Sequence, residues 1–259
     1  MNRESAIPNT TEATSLAGQK NQVQQKPLKD FDFAAAFAAF KILRKREGSP
    51  VEPGARMLFA MGGRKWYRRL TKIIRNQPGG KAILREKPSM GDMLNDWDGL
   101  RTLPHGSVGR EYLRWAEERQ FRAKALEEEV SPVYEGWLET PEQEYVRNRS
   151  RDLHDLFHVL TGYDTDSGGE TALLMFSCIQ HQNPSMRVMS WIGKSIAFRN
   201  RRFDIISLRR DAKRRAKNAA LLVAQPWEKW IDRPLEEVRA ELNLLPLPEY
   251  QRFNLPDRI

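Results

Sequence analysis

At 259 residues the chain can hold one large domain or two small ones and can bury a sizeable core. Lysine and arginine outnumber aspartate and glutamate by 43 to 34, a net charge of +9 that favours an anionic partner. The single cysteine, Cys178, rules out a disulfide framework and fits a reducing compartment. No apolar run approaches the roughly 20 residues needed to span a bilayer, which excludes an integral membrane protein.

Residues 1–29 are rich in Asn, Thr, Gln, Ser and Lys, with little to bury, and read as a disordered tail. Glu4 and Glu12, with Arg3 as the only arginine, argue against a mitochondrial transit peptide, and no secretory core precedes them. Residues 30–259 read as a single all-α, multi-helix domain, because no sustained alternation of β-branched residues occurs. In 31–46, Phe33, Phe37 and Phe40 recur at helical spacing among alanines and run into Lys41, Arg44, Lys45 and Arg46. That pattern predicts either a core-packing helix or an interfacial anchor with a basic end.

Residues 55–75 carry Leu58, Met61, Leu70, Ile73 and Ile74 in a helical pattern that Gly62-Gly63 splits, and 76–80 form a break. Ser89 and Asp92 mark a helix start, with a short helix expected through Trp97. Ser107 is placed to cap a helix bearing Tyr112, Leu113, Trp115 and Ala116, and His105 lies in the loop before it.

Thr140-Pro141 with Gln143 is a well-formed start for a helix to about Thr161, some 30 Å long at about 1.5 Å per residue. It contains His154-Asp155 and His158, and Glu170 follows after a glycine- and aspartate-rich turn. At about 100° per residue, Asp155 lies about 100° and His158 about 40° from His154, so all three occupy one arc. A hairpin back onto the next apolar run returns Glu170 to the same point. Two imidazoles and two carboxylates make a site for a divalent metal, although paired histidines on a helix can equally be a surface stripe or core partners. On the same stripe, Arg147 and Arg151 stand about two turns and one turn before the histidines. Arg151 with Asp155 suits an ordinary i, i+4 ion pair. The sharper alternative is a pair of forked donors for a carboxylate or phenolate beside the metal.

Beyond Glu170 the chain continues helical to about 224. Between 187 and 217 stand eleven Lys or Arg against Asp204 and Asp211, a surplus equal to the whole chain's. Such concentration favours an anionic membrane surface over nucleic acid, since no zinc-finger, RRM or KH pattern accompanies it. Trp227 and Trp230 precede a last helix beginning at Pro234.

H-D-x-x-H, eleven residues and E is the metal signature of the family known as coenzyme Q biosynthesis protein four, which the chain resembles over roughly 90–245. Leu103 to Gly109 with Tyr112 and Trp115, the 141–151 approach, Trp227-Glu228 and 234–239 are similar to it too, while 180–186 depart from its pattern. The resemblance implies zinc on His154, Asp155, His158 and Glu170, with Fe²⁺ or Mn²⁺ also suited to the mixed ligand set. It further implies a prenylated aromatic lipid substrate and other ubiquinone-synthesis proteins as partners, with a homodimer left open. The site expected is the cytoplasmic face of a membrane, or the matrix face in a eukaryote.

Three functions fit. One is a metal-dependent enzyme removing the C1 carboxylate of a prenylated 4-hydroxybenzoate, with Arg147 and Arg151 catalytic. The second is a lipid-binding scaffold with a structural metal. A phosphohydrolase built on the His154-Asp155 doublet is the third, but it needs His105 and Asp204 and leaves Glu170 without a role.

Overall fold

A computed structural model of the chain describes residues 30–45, 51–120, 140–198 and 205–244. The expected tail, 1–29, lies outside them, as do Arg46, Arg199, Arg201, Arg202 and Asp204. Every regular element among the described residues is helical, and the one β-type pairing is an isolated bridge between Ser107 and Pro234.

Helices α1 (Phe33–Lys45) and α2 (Val51–Ala60) pack on each other, and the chain then turns at Gly62, whose φ of 98° suits glycine. Helix α3 (Gly63–Arg75) ends at the foreseen break, and α4 (Gly80–Glu86) follows it. Ser89 caps α5 (Met90–Asn95), its hydroxyl accepting from the Asp92 amide at 3.1 Å. The expected run through Trp97 stops two residues early, because Asp96 accepts from the Gly99 amide at 3.0 Å and so starts α6 (Trp97–Thr102). Ser107 caps α7 (Val108–Arg119) as expected.

The organising element is α8 (Pro141–Thr161), capped by Thr140 and closed by Gly162 in the left-handed region at φ 77°. Leu153, Leu156, Phe157 and Leu160 on it are buried, and α3, α4, α5, α7 and α9 (Ser167–Gln180) all pack against it. Where α5 crosses α8, a Cβ at Gly91 would stand 3.2 Å from an Asp152 oxygen, so the absence of a side chain sets that close approach. Helix α9 packs in turn on α10 (Pro184–Phe198) and α11 (Ile205–Asn218). A 3-10 turn at Leu222–Ala224, α12 (Trp227–Trp230) and α13 (Leu235–Glu241) return the chain to α8 and α7. One cluster of buried side chains from α3 through α13 forms the core of a single domain. No helix among the described residues is long and apolar enough to cross a membrane.

Arginines tie the C-terminal half to α8. Arg149 is 1 % exposed and donates to the Val223 and Gln225 carbonyls at 2.9 and 2.7 Å, to the Tyr145 hydroxyl, and to Glu228. Arg215 donates to the Thr161 carbonyl at 2.8 Å, and Arg239 to those of Val159 and Leu160 at 2.6 and 2.9 Å. These bonds satisfy carbonyls that the end of α8 leaves without helical partners.

Candidate metal centre

The turn between α8 and α9 makes the site. Gly162 ends α8, and Asp166 caps α9 by accepting from the Gly168 and Gly169 amides at 2.7 and 3.1 Å. A side chain at Gly169 would collide with the Asp164 backbone, so glycine there lets the turn fold tightly against the start of α9. Glu170, the next residue, is thereby carried back over α8. Its Oε1 lies 3.2 Å from His158 Nε2 and its Oε2 3.8 Å from His154 Nε2. One ligand atom from each of His154, His158 and Glu170 falls within 4.8 Å of the others, so the three can hold a metal ion.

His158 is 2 % exposed, and its Nδ1–H donates to the Tyr163 carbonyl at 2.9 Å. That bond leaves Nε2 as a lone-pair acceptor, pointed toward a carboxylate oxygen and with no hydrogen-bond partner. Two acceptors facing at 3.2 Å repel unless a cation joins them. The electrostatics agree. Burial alone would depress the pKa of His154, yet its hydrogen bond with Asp155 and the charges of Glu170 and Asp155 push it up to about 9. Burial alone would raise that of Glu170, yet His158 and His154 hold it below the ordinary value. The cluster draws positive charge, as a proton or as a metal.

Asp155 takes a different position. Its Oδ1 sits 3.3 Å from His154 Nδ1, and its Oδ2 is buried with no hydrogen-bond partner. From α7, the Tyr112 hydroxyl is likewise buried and without one, and its pKa is raised by burial and then by the charges of Asp155 and Asp152. Trp115, one turn further along α7, stacks on His158. The histidine spacing was readable in the sequence, but this aromatic backing was not.

Arg147 and Arg151 lie before the histidines on α8. Arg147 is 7 % exposed and donates to the Asn148 side-chain oxygen at 3.1 and 2.7 Å. Arg151 pairs with its neighbour Asp152 at 2.7 Å. Both guanidinium groups act on the Tyr67 phenol of α3: burial raises its pKa, and Arg147 and Arg151 lower it. Tyr67 therefore belongs to the same neighbourhood, a link no spacing in the sequence signals. His105 lies exposed on a turn, apart from the cluster of His154, His158 and Glu170. A cleft of about 450 Å³ is lined by His158 together with Trp115, Arg119, Tyr163, Leu235 and Arg239.

A family profile described as "Coenzyme Q (ubiquinone) biosynthesis protein Coq4" matches residues 27–248. The chain belongs to the Coq4 family. Among its relatives, the mitochondrial ubiquinone biosynthesis protein COQ4 homolog of Danio rerio is 30 % identical over 193 residues, 73 % of this chain and 69 % of that protein. The mitochondrial coq4 of Schizosaccharomyces japonicus is 30 % identical over 197 residues, 73 % and 77 % of the two chains. The Xenopus laevis homolog is 28 % identical over 183 residues and is matched over 62 % of its own length. The chain thus spans roughly two thirds of the length of these Coq4 relatives. A solved structure from Nostoc punctiforme superposes with a TM-score of 0.59 at 18 % identity, covering 83 % of this chain and 99 % of that one, which shows a shared fold. All of the site residues described above fall inside the stretch that the Coq4 profile covers.

Proposed function

We propose that the chain is a metal-dependent enzyme of ubiquinone synthesis that removes the C1 carboxylate of a prenylated 4-hydroxybenzoate. The reading rests on one observation above all. His158 Nε2 of α8 and Glu170 Oε1 of α9 face each other as acceptors at 3.2 Å, and α8 also carries two largely buried arginines. The donor set of His154, His158 and Glu170, with Asp155 as a fourth, suits zinc, and Fe²⁺ or Mn²⁺ as well. A bound divalent ion supplies Lewis acidity for the charge that develops as the carboxyl group leaves.

The chain's own residues have separable tasks in this scheme. The Nδ1–H bond of His158 to Tyr163 keeps Nε2 available as a ligand. Trp115, stacked on both Tyr112 and His158, backs the imidazole with an aromatic wall. Arg147 and Arg151 present guanidinium forks to the substrate carboxylate and fix the ring's orientation. The bond between C1 and the carboxyl carbon breaks, its electron pair stays with the ring, and C1 takes up one proton as carbon dioxide departs. If C1 is also hydroxylated, dioxygen or another oxidant of that class is consumed.

A lipid-binding scaffold for other ubiquinone enzymes would use the metal only to pin α8 to α9. The two readings part at Arg151. In cells lacking the native protein, Arg151→Ala is expected to keep metal and fold yet accumulate the uncleaved prenylated acid. Full ubiquinone production with both arginines replaced would remove their catalytic role. Loss only with metal-site variants that unfold would favour the scaffold.

A further inference from the structure

Far from the metal-site residues in sequence, α1 and α3 together expose a surface of unusual composition. Phe31, just before α1, packs over Gly62 at the start of α3, so closely that a Cβ there would stand 2.8 Å from its ring. Its ring stacks with that of Phe33, centroids 6.4 Å apart, and Lys65 Nζ of α3 lies 5.9 Å from the Phe31 centroid. One turn along α1 comes Phe37, with Lys41 Nζ 4.7 Å from its centroid. An aromatic line bounded by a lysine at each end therefore crosses from one helix to the other.

The rings face water. Phe33 is 78 % exposed, Phe37 57 % and Phe31 40 %. Helices α1 and α3 contain nine Lys or Arg between them and no Asp or Glu. On α3, Lys65, Arg69 and Lys72 recur at i, i+4 and i+7 and are all exposed, which makes one basic stripe leading away from the rings. Of the nearby acids, Asp32 is engaged in capping α1 through the Ala35 amide, and Glu52 of α2 is paired with Arg56.

In the basic segment 187–217, several of the described cations are already engaged. Arg215 is buried on the Thr161 carbonyl, Arg209 donates to the Ser190 hydroxyl, and Arg214 pairs with Asp211.

We propose that the α1–α3 face is an interfacial anchor for an anionic lipid bilayer. Phe31, Phe33 and Phe37 enter the boundary between headgroups and acyl chains, and Lys41, Lys65, Arg69 and Lys72 lie against the phosphates. The chemistry selects this occupant. A second copy would bring like-charged faces together, and the cores of protein interfaces are depleted in lysine. A bilayer offers an apolar layer and an anionic layer at fixed depths, matching rings flanked by cations. The anchor is independent of the chemistry proposed for the metal centre, since none of these residues belongs to it.

The test is cosedimentation of the full chain with vesicles of phosphatidylcholine alone or mixed with phosphatidylglycerol, over a range of salt. Binding is expected to require phosphatidylglycerol and to fade as salt rises. Lys65→Gln/Arg69→Gln/Lys72→Gln should weaken it about a hundredfold, at about fivefold per basic residue. Phe33→Ser/Phe37→Ser should weaken it at least about tenfold. Lys213→Gln/Lys217→Gln, on exposed positions of α11, should have the smaller effect. Absence of binding, equal binding to neutral vesicles at high salt, or loss confined to the α11 variant would overturn the proposal. So would a sedimentation-velocity result in which Phe33→Ser/Phe37→Ser turns a dimer into a monomer with vesicle binding unchanged. Metal content and thermal melting, expected to match the parent in every variant, separate failure of the anchor from failure of the metal centre.

Discussion

The indole of Trp115 lies nearly parallel to the imidazole of His158, with centroids 5.7 Å apart and planes 17° from parallel. The other ring nitrogen of His158 is held by the Tyr163 carbonyl. His158 is thus fixed in plane by stacking and in rotation by a hydrogen bond, so its free nitrogen has one direction to point.

Removing the stack should loosen the metal without removing a ligand. Trp115→Leu is expected to lower metal affinity by about 10- to 100-fold, the range typical of lost supporting groups around a ligand histidine. Competition with a chromophoric chelator measures it. Unchanged affinity would mean that the hydrogen bond to Tyr163 suffices alone.

The ligands themselves should show a steeper effect. His154→Ala/His158→Ala is expected to purify without stoichiometric divalent metal, as read by elemental analysis. Stripping the parent protein with a chelator should lower its melting temperature, because an ion that binds only the folded state adds to stability. Full metal content in the double variant would place the ion elsewhere.

His181 predicts an acid sensitivity. It is 4 % exposed and neither ring nitrogen has a hydrogen-bond partner; burial, with the positive charge of His154 as a second cause, pulls its pKa down to about 4. The unfolded chain protonates this ring below about pH 6.5, and the folded chain only near 4. Stability from this residue is therefore complete above the first value and is lost between the two, by about 3 kcal/mol in all. Urea unfolding of the parent and of His181→Phe at about pH 7.5 and about pH 4.5 isolates the effect: the variant should lose less on acidification. Equal losses would rule out the residue as the source.

Arg149 and Glu228 make a core pair whose two members are unequal in importance. With the Arg149 side chain fully buried, Glu228→Ala leaves its charge uncompensated and should cost about 3 kcal/mol by urea unfolding. Arg149→Met/Glu228→Leu removes both charges and is expected to lose less than the single change. A double variant weaker than Glu228→Ala would show that the carbonyl bonds of Arg149 matter more than its charge.

What could be read from the sequence was local. Thr140, Pro141 and Gln143 announce the start of α8 because a helix cap is decided within four residues, and His154 and His158 share a face because helix geometry requires it. The break at Asp96 escaped, since its carboxylate competes with helix continuation only in a particular backbone geometry. Trp115 over His158 escaped as well, because it depends on how α7 packs against α8. The basic stripe of α3 does not show in the net charge, because its cations are balanced by acids elsewhere in the chain, whereas those of 187–217 are not. Arg147 donates to Asn148 with Glu144 3.8 Å away, and Arg151 pairs with its neighbour Asp152 rather than with the i, i+4 partner that spacing favours.

The last turn of α8 is held by arginines that come much later in the chain, Arg215 and Arg239. All of the candidate ligands precede both of them. During synthesis the histidines and Glu170 leave the ribosome before the groups that fix the end of their helix, so the cluster takes its final shape only after Arg215 and Arg239 have emerged. An ion captured earlier would meet a mobile, partly formed set of donors. Truncation just before Arg239 should therefore yield a chain that contains every candidate ligand yet takes up a divalent ion more weakly than the parent.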